Sequence, residues 1–130
     1  MTKQFTLGTN ERLKSRKQIE LLFSKGKKFT IAPFRVYYLF NQLTNPPLQF
    51  GVGVSNKNFK KAVDRNKIKR QVRDAYRLQK ISLQQKLKDK KYQLSVFLIY
   101  TNKEIPEYRE VFEQIKKLLL KLDHIADSEK

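Results

Sequence analysis

The sequence predicts one α+β domain, residues 1–130, in which helices pack on a mixed β-sheet as an α/β sandwich. Its 130 residues, 39% of them hydrophobic, are enough for a single modest core. Segments with a helical apolar period alternate with segments in which every second residue is apolar. The order helix, strands, helix, strand, helix contains no internal repeat or linker, which favours one layered domain.

The first predicted helix covers residues 15–25. Ser15 and Gln18 have the spacing of a capping box, and Gly26 provides a stop signal. The apolar stripe between these signals consists of Ile19, Leu22 and Phe23. Residues 1–10, which precede this helix, are expected to fray.

Two strands are predicted next, because apolar residues alternate from Phe34 to Phe40 and again from Leu48 to Val54. The turn signal Asn45-Pro46-Pro47 separates them. We therefore expect the two strands to pair as an antiparallel, hairpin-like unit. The aromatic residues expected in the core are Phe34, Tyr38, Phe40 and Phe50.

The minor face of the second strand carries Gly51 and Gly53. Glycine within a strand often marks close approach by a ligand or another backbone, so these residues predict a flat, open patch. If the strand faces register, Arg35 and Tyr37 border this patch and offer a cation and a ring to single-stranded nucleic acid. Packing of a helix on the glycines is an equally open alternative. For Phe23 and Tyr37, base stacking and core packing are both open.

The segment from Lys60 to Arg77 predicts a basic amphipathic helix. With about 100° of rotation per residue, its polar and apolar side chains fall on two adjacent arcs. One arc holds Asn66, Lys69, Arg70, Arg73 and Arg77. The other arc holds Ile68, Val72, Ala75 and Tyr76, which we expect to face the core.

Polyanion binding is the function that this helix predicts. Between Lys60 and Lys80, nine basic residues are opposed by two acidic ones. A solvated helix face usually mixes charges, since like charges four residues apart repel. The whole chain has a formal net charge of +17, and nucleic acid is the commonest polyanion for such a surface.

Three further elements complete the predicted fold. Residues 82–91 form a polar helical stretch that we expect to be a solvated extension. The apolar segment from Leu94 to Tyr100 predicts a central strand that is buried on both faces. Pro106 opens a final amphipathic helix, and residues 126–130 are expected to fray.

Composition and pattern argue against several classes of protein. The chain has no cysteine, which excludes disulfides and thiolate metal sites and fits a cytoplasmic location. No apolar run approaches the roughly 20 residues that a membrane span needs, so no membrane partner is expected. A DNA partner is disfavoured as well, because no second helix lies a short turn away from the basic helix.

No side chain is predicted to be catalytic. The one histidine, His124, lies near the carboxyl terminus, and no general base is apparent. Asp123 and Asp127 share a helical face, and we interpret them as surface charges rather than a metal site. No phosphate-binding glycine loop and no His/Cys ligand spacing is present. Any chemistry must therefore come largely from the partner.

The segment from Arg65 to Arg73 resembles the signature R-N-x-x-K-R-x-x-R of the bacterial ribonuclease P protein component and matches it at every defined position. Three other features occur in the order that this family shows. They are the R-L-K segment at 12–14, the helix that ends in Phe23 before Gly26, and the strand FGVGVSNK at 50–57.

The resemblance implies a fold like domain 2 of ribosomal protein S5, with a left-handed βαβ crossover through the signature helix. It also implies that a catalytic RNA, ribonuclease P RNA, cleaves the 5′ leader from precursor tRNA with a divalent metal, magnesium, in the RNA-containing holoenzyme. The implied RNA-binding residues are Lys57, Lys60, Lys61, Arg65, Asn66, Lys69, Arg70, Arg73 and Arg77. The implied leader-binding residues are Phe23, Arg35, Tyr37, Gly51 and Gly53.

Two departures from the family pattern affect these assignments. Many relatives have an aromatic residue where this chain has Ile19, which alters part of the implied leader cleft. Many also have Ser-Lys-Lys where this chain has Ser55-Asn56-Lys57, so one cation near the start of the basic helix is missing. The alternative function is that of a non-enzymatic ribosomal or other structured-RNA-binding protein.

Overall fold

The computed structural model describes residues 12–13, 15–42 and 46–128. Lys14, Asn45, residues 1–10 and residues 129–130, to which parts of the sequence analysis refer, lie outside the described residues. The elements are, in chain order, α1 (Arg16–Lys25), β1 (Lys27–Ile31), β2 (Phe34–Gln42), β3 (Leu48–Val54), α2 (Ala62–Gln79), α3 (Ile81–Lys90), β4 (Tyr92–Tyr100) and α4 (Tyr108–Ser128).

The strands of the described chain form one mixed sheet in the order β1-β2-β4-β3. β2 pairs antiparallel with both β1 and β4, whereas β3 pairs parallel with β4. The α+β architecture with a mixed sheet is therefore confirmed. The expected hairpin between β2 and β3 is wrong, because β4 lies between them. Alternation of apolar residues defines the face that each side chain occupies, but it does not define the neighbouring strand.

The connection from β3 to β4 contains α2 and α3. Neighbouring parallel strands cannot be joined by a tight turn, so the chain must cross the sheet through helical structure. This connection places the basic helix next to the outermost strand, β3. The left-handedness of the crossover stays a prediction.

The core lies between one face of the sheet and the helices α2, α3 and α4. The predicted apolar arc of α2 is confirmed, since Ile68, Val72, Ala75 and Tyr76 are all buried. Tyr76 stacks on Phe50 of β3, with ring centroids 3.8 Å apart and an interplanar angle of 7°. Of the four aromatic residues expected in the core, Phe34, Tyr38 and Phe50 are buried and Phe40 is partly buried.

Helix α1 packs on the opposite face of the sheet, against β2 and β4. Its start is confirmed, because the Ser15 hydroxyl accepts a hydrogen bond of 3.4 Å from the backbone N–H of Gln18. Its end is confirmed as well, because the N–H of Gly26 donates to the carbonyl oxygen of Leu22 at 2.9 Å. Leu22 is buried, and it anchors the helix on the sheet.

Two predictions about the second half of the chain are wrong. Helix α3 is not a solvated extension, because Leu83 and Leu87 are buried in the core. Strand β4 is central, as predicted, but only one of its faces is fully buried. On the other face, Phe97 and Ile99 are only partly buried.

Helix α4 is the last element of the fold, and ion pairs connect it to α3. Lys86 donates to the carboxylates of Asp123 and Asp127, at 3.0 Å and 2.6 Å. The hydrogen bond from Lys86 lowers the pKa of Asp127. The helix continues to Ser128, and Ala126, where we expected fraying to begin, is buried. No helix among the described residues is both long enough and apolar enough to cross a membrane.

Candidate nucleic-acid interface

The outer side of α2 carries a basic ridge, which we define as Asn66, Lys69, Arg70, Arg73 and Arg77. All five side chains lie opposite or beside the buried stripe and retain contact with solvent. Asn66 and Arg70 are exposed, whereas the three others are partly buried. The exposed residues Lys57, Lys60 and Lys61 precede the helix and continue the positive charge beyond its amino terminus. The structure thus places the five ridge residues on one side of α2 and three more of the predicted RNA-binding cations just before the helix.

The face of the sheet that α1 leaves partly open carries an aromatic cluster, which we define as Phe23, Tyr37 and Phe97. The ring of Phe23 lies 4.7 Å from that of Tyr37 and 5.6 Å from that of Phe97, measured between centroids. Phe23 is 44% exposed, so a flat ligand can reach its ring. Arg35 is exposed two residues before Tyr37, on the same side of β2. We call the surface formed by Arg35 and the aromatic cluster the leader cleft, after the role that the resemblance implies for it.

The two glycines of β3 leave space for the Phe97 ring of this cleft. Gly51 lies opposite Phe97 in the parallel register, and a Cβ atom on Gly51 would lie 2.7 Å from Cδ1 of Phe97 and 2.9 Å from the carbonyl oxygen of Leu13. A Cβ atom on Gly53 would lie 3.2 Å from the Phe97 ring. The predicted open patch is therefore wrong at Gly51, which is buried beneath this ring and the Leu13 backbone. No helix supplies the nearest contacts either, since the atoms closest to the two Cβ positions belong to the Phe97 ring and to the backbones of Leu13 and Leu98.

Comparison with known proteins assigns the chain to a family. The model of a family described as Ribonuclease P matches residues 7–123. The chain belongs to this family. The ribonuclease P family matures the 5′ ends of tRNA, and its protein component is part of a ribonucleoprotein endoribonuclease.

Individual relatives agree with this assignment. The chain is 34% identical over 119 residues to a ribonuclease P protein component of Porphyromonas gingivalis, covering 91% of this chain and 87% of the relative. It is 32% identical to that of Rippkaea orientalis, covering 85% of this chain and 84% of the relative. The ribonuclease P protein from Thermotoga maritima has a similar solved structure, with a TM-score of 0.64 and 27% identity, covering 85% and 96% of the two chains. The Staphylococcus aureus protein has the same fold, with a TM-score of 0.61, 22% identity and coverage of 86% and 94%.

Within the ribonuclease P signature, Arg65 differs from the ridge residues. Its Nη1 atom donates to the carbonyl oxygens of Phe59 and Lys60, at 2.7 Å and 2.9 Å. Arg65 lies on the same side of α2 as the buried Val72, where it can reach back to the preceding loop. These two bonds fix the loop that carries Lys60 and Lys61.

Arg77, at the carboxyl end of the ridge, is tied to a carboxylate. Its Nε donates to Oδ1 of Asp74 at 2.7 Å, and Oδ2 of Asp74 accepts a hydrogen bond of 3.0 Å from the Tyr108 hydroxyl. Burial and, next, the hydrogen bond to Asp74 raise the pKa of Tyr108. Since Asp74 offsets part of its charge, Arg77 attracts phosphate less strongly than Arg70.

Two residues of the ribonuclease P protein surface are not predicted from the sequence. Phe97, expected in a strand buried on both faces, lies at the centre of the aromatic cluster. The signal that could have found it is alternation: Ser95, Phe97 and Ile99 share the face opposite Leu94 and Val96. Arg12 was noted only as part of a family segment, and it lies close enough to Arg73 to affect the pKa of that guanidinium.

The acidic and histidine side chains of the described residues are not clustered as a metal site needs. Among residues 12–13, 15–42 and 46–128, no three His, Asp or Glu side chains come together as potential metal ligands. Asp123 and Asp127, which share a helical face as predicted, both accept hydrogen bonds from Lys86. The described side chains therefore do not fit a magnesium site of their own.

Proposed function

We propose that this protein binds the catalytic RNA of ribonuclease P through the basic ridge and holds the 5′ leader of precursor tRNA in the leader cleft. The observation that carries the proposal is the placement of both surfaces beside one strand, β3. Helix α2 packs on one face of β3, through Tyr76 and Phe50, and the aromatic cluster lies over its other face, through Phe97 and Gly51. A protein with this arrangement can hold two RNA elements next to each other.

The chemistry of the ridge suits a folded, phosphate-rich partner. Arginine presents a planar fork of donors to phosphate oxygens, lysine a compact charge, and asparagine a neutral amide that can also reach a base or sugar. The amino terminus of α2 adds to this surface, because Lys61 makes no side-chain capping bond and the first backbone N–H groups of a helix attract anions. These features support contact with the catalytic RNA by Lys57, Lys60, Lys61, Asn66, Lys69 and Arg70. Arg73 lies on the ridge as well, close to Arg12. Arg65 and Arg77 contribute charge at the two ends.

The chemistry of the leader cleft suits a single strand. Unpaired bases expose faces that stack on aromatic rings, and this contact is tolerant of sequence. Phe23 and Tyr37 offer ring surface, and the exposed side chain of Arg35 offers a guanidinium to a phosphate of the same strand. Gly51 and Gly53 act by allowing the Phe97 ring to lie flat on the strand beside them. Ile19, which is partly buried on α1, supplies apolar bulk where relatives have a ring.

In this proposal the protein binds and orients RNA, and the RNA carries out the hydrolysis. Magnesium, the divalent metal of the holoenzyme, would be held by RNA groups, since the described side chains do not form a metal site. His124 is exposed on α4, beyond the elements that form the ridge and the cleft. The protein would act in the cytoplasm, which fits a chain without cysteine.

Reconstitution with ribonuclease P RNA tests the proposal. At a magnesium concentration too low for the RNA alone, adding the protein should restore 5′ processing of precursor tRNA. The affinity of the holoenzyme for a substrate without a leader should change little. Absence of stimulation with a matched bacterial RNA would contradict the proposal and favour the alternative of a non-enzymatic, structured-RNA-binding protein.

A further inference from the structure

Arg12 lies where the leader cleft meets the basic ridge. It forms an isolated parallel bridge with Phe50, and the N–H of the next residue, Leu13, donates to the carbonyl oxygen of Phe50 at 2.9 Å. These contacts hold the backbone of Arg12 along the outer edge of β3. Leu13 is buried, whereas the side chain of Arg12 is exposed. The backbone of Arg12 is therefore held in place, while its guanidinium is accessible to solvent.

Arg73 reaches the same edge from α2. Tyr76 follows it by three residues, on the adjoining side of the helix, and its ring stacks on the ring of Phe50. Phe50 thus pairs with Arg12 through its backbone and contacts, through its ring, the helix that carries Arg73. The side chain of Arg73 is partly buried, so its charge sits in a less polar environment than that of the exposed Arg70.

The two guanidinium groups repel each other. Burial lowers the pKa of Arg73, and the charge of Arg12 lowers it further. Among the described residues, neither arginine forms an ion pair with a carboxylate. Two cations held together at a partly buried edge are unfavourable alone and become favourable when an anion lies between them.

We propose that Arg12 and Arg73 together bind one backbone phosphate of the precursor tRNA leader, at the point where the strand leaves the cleft across the edge of β3. This inference rests on the proposed function. The substrate strand is the expected ligand because Leu13, next to Arg12, places its carbonyl oxygen against Gly51 on the sheet face that carries the Phe97 ring. Arg12 itself pairs with Phe50, so it lies at the edge between this face and the side of α2. Arg12 thus borders the floor of the cleft, whereas Arg70 and Lys69 extend along the ridge.

A scan with neutral linkages locates this phosphate. A series of precursor tRNAs carries one deoxy methylphosphonate at successive leader positions, each matched by a control with an ordinary deoxy phosphate. With the wild-type holoenzyme, one position should lose affinity by about tenfold, as expected for one charge-assisted contact. With an Arg12→Gln holoenzyme, all positions should bind about tenfold more weakly, and the neutral linkage at that position should cost clearly less than in the wild type, because only Arg73 still contacts the phosphate. Arg109→Gln, which removes an exposed charge on α4, is the matched control and should retain the wild-type profile.

Three results would overturn the inference. In the first, no leader position of the wild-type scan loses affinity. In the second, Arg12→Gln loses as much affinity at the neutral linkage as the wild type does. In the third, the variant weakens assembly with the catalytic RNA while leaving leader binding unchanged. The last result would assign the phosphate to the catalytic RNA. Failure of the proposed function is distinguishable, since the wild-type protein would then not stimulate processing of the unmodified substrate. Folding of Arg12→Gln is checked by thermal unfolding and should be unchanged, because Arg12 is held through its backbone.

Discussion

Gly51 and Phe97 face each other in the neighbouring parallel strands β3 and β4, and Cδ1 of Phe97 lies only 2.7 Å from the place where a Cβ atom on Gly51 would stand. The ring cannot retreat freely, because Phe23 contacts it with a centroid separation of 5.6 Å. The glycine therefore determines how closely the aromatic cluster lies on the sheet. The same contact connects the stability of the fold to the shape of the leader cleft.

Gly51→Ala should destabilise the protein by about 1–3 kcal/mol, because the added methyl group overlaps both Phe97 and the Leu13 carbonyl. Urea unfolding measures the change. Gly53→Ala is the matched control, since its Cβ atom would lie 3.2 Å from the ring alone and the ring can shift by a few tenths of an ångström. Equal losses from the two variants would show that the closer contacts at Gly51 do not determine the effect.

Phe97→Leu should weaken binding of a precursor tRNA with a leader by about tenfold, at the lower end of the roughly 1–3 kcal/mol that stacking on one base contributes. The affinity for a leaderless tRNA should be unchanged, because that substrate leaves the cleft empty. Equilibrium binding to the holoenzyme measures both. Phe112→Leu removes a partly buried ring on α4, on the other side of the sheet, and should affect neither affinity. A similar loss for both substrates would contradict a stacking role for Phe97.

Arg70→Ala should weaken binding of the catalytic RNA and reduce the slope of log affinity against log salt by roughly one unit or less, because one phosphate contact is lost. Lys67→Ala removes the same charge from an exposed position of α2 outside the ridge and should have a smaller effect. Titration at several salt concentrations gives the two slopes. Identical changes for the two variants would show that total charge governs binding and that the ridge has no special role.

Arg65→Lys should lower the free energy of unfolding by about 1–2 kcal/mol, because the shorter lysine side chain cannot place its nitrogen where Nη1 bonds the carbonyl oxygens of Phe59 and Lys60. Arg70→Lys keeps the charge at an exposed position and should leave stability unchanged. Denaturant unfolding distinguishes the two. If Arg65→Lys is as stable as the wild type, the bonds to the loop contribute little, and Arg65 is available for RNA.

The helices and the basic ridge could be predicted from the sequence, because the spacing of apolar residues within a helix shows which of its sides is buried. The period of Ile68, Val72, Ala75 and Tyr76 identified the stripe that enters the core, and the cations then had to occupy another side. A residue such as Arg65 shows the limit of this reasoning. Its angular position is predictable, but the two carbonyl groups that it bonds belong to a loop whose path the period does not specify.

The strand order could not be predicted in the same way. Alternation placed Tyr37 and Gly51 on corresponding faces, but it could not show that β4 lies between their strands. The prediction of a hairpin therefore missed Phe97, which pairs with both residues and forms the centre of the cleft. Strand β1 is not predicted either. It is an exposed edge strand, and its first two residues, Lys27 and Lys28, are both polar, so apolar and polar residues do not alternate along it.

The separation of the two RNA surfaces is tested most directly by measuring two affinities for each of two variants, Arg70→Ala and Tyr37→Ala. One affinity is that of the protein for the catalytic RNA, and the other is that of the assembled holoenzyme for precursor tRNA with a leader. We expect Arg70→Ala to reduce only the first and Tyr37→Ala only the second, each by several-fold. If both variants reduce the same affinity, or each reduces both equally, the ridge and the cleft do not bind different RNAs.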